Sequence, residues 1–349
     1  MRIGSTAIKT AAALVVLVLG VTALLAALMA ARPAEQSKKL SELFQYDIDQ
    51  FKRTDPALIA YREVPGLKLN VNEPRAIAVG PEDRLYIAGD RQIVVYTASG
   101  SVAETVALDG EPRCLAVAGA DHPQAGHIYV GFGDHVEVYA SGKRQAVWPS
   151  LGPKAVLTSI AVADENVFVA DAGNRIVWRC DLSGNNTGRI GDRDPDGGIR
   201  GFFIPSPYFD LAIAPDGLLR IVNPAAHRIE AYTFDGHLEL HWGKASLAIE
   251  GFGGCCNPAN IAILPDGRVV TAEKGLPRVK VYDAEGNFLH VVAGPEALSP
   301  SSKSPEETRS AHRADVVDLA VDSRQRVLVL DPVTHMLRIF EPLESPTQL

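Results

Sequence analysis

One unit recurs along most of this chain, and it is clearest at residues 159–191, SIAVADENVFVADAGNRIVWRCDLSGNNTGRIG. Short apolar runs at 160–163, 167–170 and 176–180 alternate with polar turns, and a polar segment closes the unit. That is about four short strands joined by tight turns, the build of one propeller blade. The first strand of each copy centres on Ile77, Leu115, Ile160, Leu211, Ile261 and Leu319, at spacings of 38, 45, 51, 50 and 58 residues. Blade repeats run to about 40–50 residues, so the spacing predicts six blades with growing insertions. Turn chemistry agrees. Pro81-Glu82-Asp83, Pro215-Asp216-Gly217 and Pro265-Asp266-Gly267 follow three first strands, and Ser99-Gly100, Ser183-Gly184, Asp235-Gly236 and Glu285-Gly286 mark later hairpins.

The last unit, up to Pro342, shows only three strands. The missing outer strand is expected from residues 61–69, which would close the ring and remove the sheet edges. The fold class predicted is all-β: a six-bladed propeller over 57–342, preceded by a transmembrane helix and a short amphipathic helix, with a tail at 343–349.

Residues 11–31 are uncharged and almost wholly apolar. Twenty-one helical residues span roughly 30 Å, the hydrocarbon core of a bilayer. The run is longer than the core of a cleaved signal, so an anchor is expected, with residues 1–10 cytoplasmic and the propeller extracytoplasmic (periplasmic), a single-pass membrane protein. In the 32–56 linker, Leu40, Leu43, Phe44, Ile48 and Phe51 fall on one helical stripe, predicting a helix over 37–53 that Asp55-Pro56 stops.

The segment Val169-Ala170-Asp171-Ala172-Gly173-Asn174-Arg175-Ile176 resembles the NHL-repeat family, with weaker copies at Asn223 to Ile229, Glu273 to Val279 and Asp331 to Ile339. The resemblance covers roughly 57–342. It implies the propeller fold and leaves activity open, since such domains bind proteins or RNA and rarely catalyse. The recurrent acid–arginine pairs (Asp171 with Arg175, Asn223 with Arg228, Glu273 with Arg278, Asp331 with Arg338) read as staples between second and third strands, because a site is usually unique and a repeated pair is architecture.

The net charge of −8, with no basic block, argues against nucleic acid as a partner. No GxSxG, HExxH or phosphate-cradling glycine loop is present. Function is expected on the face that carries the long inter-blade links at 192–208, 243–259 and 294–315. The candidate ligand or partner residues there are Phe202, Phe203, Tyr208, Phe252, Cys255, Cys256, Asn257, Glu273 and Lys274. Their aromatic rings suit either a contact surface or a self-packed loop. Three states are open to the adjacent Cys255 and Cys256: a strained vicinal disulfide, two inert thiols, or a redox or soft-metal site such as one for Cu(I). An oxidising compartment favours the disulfide. Cys114 and Cys180 are expected to pack as small apolar groups.

Just before the first-strand centres stand Asp210, Asn260 and Asp318, on three consecutive blades. Their oxygens suit Ca²⁺ or Mg²⁺ at the channel mouth. Residues 258–262 also resemble the metal-ligand strand of gluconolactonase-type propellers, which implies a cation and lactone hydrolysis. The first-blade carboxylate of that family is absent, with Arg75 and Ala76 in its place. The expected role is a non-catalytic platform for a protein or small ligand. A metal-dependent hydrolase and an electron-transfer accessory acting through the cysteine pair are the alternatives.

Overall fold

The structure, a computed structural model, describes residues 17–22, 24, 49–193, 201–298 and 316–343. The chain divides into a unit through Gln50 and a second unit from Phe51 onward. In the first, residues 17–22 and 24 are helical and exposed; the rest of the expected 11–31 anchor lies outside the described residues. Among the described residues no helix is long and apolar enough to cross a membrane. The helix expected over 37–53 is described only from 49, where there is a single 3₁₀ turn, Asp49–Phe51. The chain then turns because Pro56 bars a helical residue before it, and Asp55 caps a second short turn, Pro56–Leu58.

The second unit opens with β1 (Tyr61–Lys68). Blade 1 is β2 (Pro74–Val79), β3 (Leu85–Gly89), β4 (Gln92–Tyr96) and β5 (Val102–Ala107). Blade 2 is β6 (Cys114–Val117), β7 (Ile128–Gly131), β8 (Val136–Ala140) and β9 (Lys143–Val147). Blade 3 is β10 (Leu157–Val162), β11 (Val167–Asp171), β12 (Ile176–Cys180) and β13 (Asn186–Ile190). Blade 4 is β14 (Leu211–Ile213), β15 (Leu219–Asn223), β16 (Arg228–Tyr232) and β17 (Leu238–Trp242). Blade 5 is β18 (Asn260–Ile263), β19 (Val269–Glu273), β20 (Arg278–Tyr282) and β21 (Phe288–Ala293). Blade 6 is β22 (Asp318–Val321), β23 (Val327–Asp331) and β24 (Met336–Pro342), completed by β1.

All strand pairs are antiparallel and follow chain order within each blade, so every blade is a meander. The exception is the closure. β1 pairs with β24 from Tyr61 opposite Pro342 to Lys68 opposite Met336, as the missing strand of the last unit required. The inner strands β2, β6, β10, β14, β18 and β22 each contact the next, and β22 returns to β2.

Burial explains the apolar runs. Blades stack face on face, so the second strand of each is covered on both sides and shows no period-two alternation. Val167, Phe168, Val169 and Ala170 are all fully buried. The outermost strands face solvent on one side, and β5 and β9 are mostly exposed. The expected hairpin glycines adopt the left-handed conformation, Gly184 at φ 86° and Gly286 at φ 91°. An added Cβ at either would strike Trp148 or Trp242 of the preceding blade.

Candidate functional site

The inner strands enclose a central channel whose cavity measures about 930 Å³. Each inner strand has one edge without a strand partner, so its backbone N–H and C=O groups must be met otherwise. Side chains at the strand starts do this. Ser159 Oγ accepts from Leu211 N at 3.3 Å. Asp210 Oδ2 accepts from Ile261 N at 2.7 Å. Asn260 Nδ2 donates to Val317 O at 2.7 Å, and Asp318 Oδ2 accepts from Ile77 N at 2.9 Å. Each residue therefore reaches the next blade, and four of the six blade junctions carry such a latch. Ala76 and Cys114 hold the equivalent positions in blades 1 and 2 and offer no comparable group.

Asp210, Asn260 and Asp318 thus line the channel as expected, and they join blades there. Among the described residues no group of three or more His, Cys, Asp or Glu side chains is arranged to hold a metal ion. A cation at this mouth would meet two carboxylates and one amide. Burial raises the Asp210 carboxyl to about 6, against the hydrogen bonds from Ser159, Ile261 and Leu211. Burial, with the charge of Asp210 added, raises Asp318 to about 7. Titratable groups with shifted pKa values cluster at functional sites, so these two carboxyls mark the channel mouth as a candidate.

These shifts set a pH dependence. A carboxyl whose folded value lies above its unfolded value, about 3.9, favours folding when protonated. The stabilisation is complete below about pH 4 and is lost as pH rises to about 7. Asp318→Asn keeps an acceptor for Ile77 N without the charge. The variant should match the parent at pH 4.5 and exceed it by about 2 kcal/mol at pH 8, half the full conversion of the shift because channel water screens the charge. Urea unfolding in a chelating buffer checks this; equal differences at both pH values would contradict it.

Beside the mouth, the loop over 243–259 is fastened to blade 5 by a buried ionic cluster. Glu273, Arg278 and Lys280 are each at most 2% exposed. Arg278 donates to both Glu273 oxygens, at 2.9 and 2.8 Å, and Lys280 Nζ lies 2.8 Å from Oε1. The remaining donors go to the loop: Lys280 Nζ to Ile249 O and Gly251 O, Arg278 Nη1 to Leu247 O. Glu273 Oε2 accepts from Gly253 N at 2.9 Å. Burial lowers the Lys280 ammonium to about 8, although the charge of Glu273 pulls it back. Of the four expected staples only this Glu273–Arg278 pair forms. Asp171 instead accepts from Val156 N, Gly173 N and Trp178 Nε1. Asn223 and Arg228 both turn to Glu230. Asp331 accepts backbone N–H groups, while Arg338 pairs with Glu63 of β1. The longer reach of Glu lets it meet Arg278 across the ladder, whereas Asp171 and Asp331 accept N–H groups of the adjacent turns and Asn223 donates to Glu230.

The expected binding residues divide. Phe202 and Phe252 are buried, and this corrects their assignment to a contact surface: Phe202 packs on Phe209 and Tyr232, and Phe252 on Trp242 and Tyr282. The loops are self-packed because their rings complete the core between blades. Phe203 is 52% exposed. Tyr208 lines the channel, with the Lys274 ammonium 4.4 Å from its ring centre and 3.2 Å from Ser206 Oγ. Asn257 is buried and clasps Lys274 through N–H and C=O together. Cys255 and Cys256 correct the expected disulfide. Both are free thiols with sulfurs 3.3 Å apart, against about 2.05 Å for a bond. Cys255 is exposed and Cys256 buried, and their sulfurs touch without bonding. Cys114 and Cys180 are buried, as expected. Lys280 escaped the sequence reading, although a lysine inside the apolar run Val279-Lys280-Val281-Tyr282 is its signal.

No protein-family model matches the chain, and no curated protein matches it in sequence. Solved structures do match in fold. Selenomethionine virginiamycin B lyase from Staphylococcus aureus superposes with a TM-score of 0.51 at 13% identity, over 81% of this chain and 99% of that one. This chain shares the six-bladed propeller of that lyase. An inactive histidine-to-alanine form of the same lyase, solved with quinupristin, gives a TM-score of 0.53 at 12% identity, over 81% and 100%. A structural-genomics protein of unknown function from Bacteroides thetaiotaomicron gives 0.53 at 14%, over 82% and 73%. At these identities the likeness is one of fold.

Proposed function

We propose that this propeller is a binding module that takes a small, positively charged solute into the channel mouth on its long-loop face. The observation that supports the reading is the pair of channel carboxylates, Asp210 and Asp318, whose charges oppose each other within a cavity of about 930 Å³. A cation between them relieves that repulsion. Asn260 stands on the blade between the two. Organic ammonium groups and hydrated divalent ions share this chemistry.

Thermal unfolding of the full chain with CaCl₂ or with 1,4-diaminobutane at millimolar concentration separates them. One of the two should raise Tm at pH 8, since a ligand that binds only the folded state stabilises it by RT ln(1 + [L]/Kd). The shift should vanish at pH 5, where both carboxyls are largely protonated, and in Asp318→Asn. No shift from either solute at pH 8, or a shift that the variant keeps, would overturn the reading.

A further inference from the structure

The vicinal thiols are not among the residues that line the channel. Cys255 is exposed and Cys256 buried, with sulfurs 3.3 Å apart. Their loop is pinned on both sides, by Gly253 N on Glu273 and by Asn257 Nδ2 on Gly253 O and Lys274 O. Two sulfurs at this separation, each about 2.3 Å from a shared ion, subtend an angle of roughly 90° there. Linear two-coordinate ions such as Cu(I) need the sulfurs much further apart. Zinc takes three or four protein ligands, and among the described residues no third His, Cys, Asp or Glu side chain joins the pair. An angle near 90° is that of a pyramidal trivalent ion with a lone pair.

We propose that Cys255 and Cys256 together hold a thiophilic trivalent ion of the arsenic kind, through two sulfurs, with its third position facing solvent. The chemistry agrees with the state of the thiols: both are free, and an arsenical condenses with free thiols. With phenylarsine oxide, the arsenic–oxygen bond and two S–H bonds give two As–S bonds and one water. Arsenic stays trivalent, so no oxidant or reductant is needed.

The test uses the reduced full chain with one equivalent of phenylarsine oxide, followed by intact mass and native maleimide labelling. The expected result is one phenylarsenic group per chain and protection of the exposed Cys255 from maleimide. The adduct should survive excess 2-mercaptoethanol and come off with 1,2-ethanedithiol, because loss of the second sulfur from such a chelate weakens it by roughly a hundredfold or more. Cys255→Ser and Cys256→Ser should each hold the arsenical only until monothiol is added, with Tm measured alongside to show that both are folded. Stripping of the parent by monothiol would overturn the site, as would retention in either serine variant. Isolation of the parent as a Cys255–Cys256 disulfide that takes no arsenical would do the same.

Discussion

Deletion of residues 61–69 should cost the propeller roughly 4–8 kcal/mol, most or all of the stability of an ordinary domain. Tyr61 and Leu69 are buried, and Val64 and Leu67 are partly covered. Each large apolar side chain is worth about 1.5–3 kcal/mol when fully buried. The same deletion removes Glu63 from Arg338 and leaves β24 with an open edge next to the buried Phe340. An edge of that length invites pairing with other chains, so aggregation should accompany the loss. Tyr61→Ala, which keeps the strand, should cost about 3 kcal/mol without added aggregation. Urea unfolding and light scattering read both effects. A deletion variant with the parent's midpoint would show that β1 does not close the ring.

Glu273→Ala should cost about 3–5 kcal/mol, the usual loss when one partner of a buried ion pair is removed. Arg278 and Lys280 would then share the interior with no carboxylate, held only by the carbonyls of Leu247, Ile249 and Gly251. The loop over 243–259 should loosen with it, and trypsin should cut after Lys244, which is exposed. Lys280→Met leaves the Glu273–Arg278 bond intact and frees two carbonyls, so its cost should be smaller, about 1–3 kcal/mol. Equal losses in the two variants, or a resistant loop in Glu273→Ala, would contradict this account of the cluster.

The blades were legible because strands and hairpin turns are written locally, in apolar runs and in residues such as Gly184 and Gly286. Closure was legible by counting, since a last unit with three strands and a spare segment before the first unit admit one solution. Channel positions such as Asp210 and Asp318 followed from their place before each inner strand. Their use as blade latches did not, because the N–H groups of Ile77 and Ile261 belong to neighbouring blades. Phe202 and Phe252 were ambiguous for a similar reason: an aromatic in a long loop is surface or core according to what the next blade offers. Three of the four arginine staples failed, and only Glu273 has the reach to meet its arginine. Glu230 and Glu63, outside the repeated motif, took Arg228 and Arg338.

The central claim is that a positive charge belongs between Asp210 and Asp318. A crystal structure of the full chain grown at pH 8 with the solute that raises Tm tests it most directly. The account predicts density for that solute in the channel mouth, touching carboxylate oxygens of both residues, and an empty mouth in crystals grown at pH 5. The solute bound elsewhere on the protein, with only water between the two carboxylates, would contradict it.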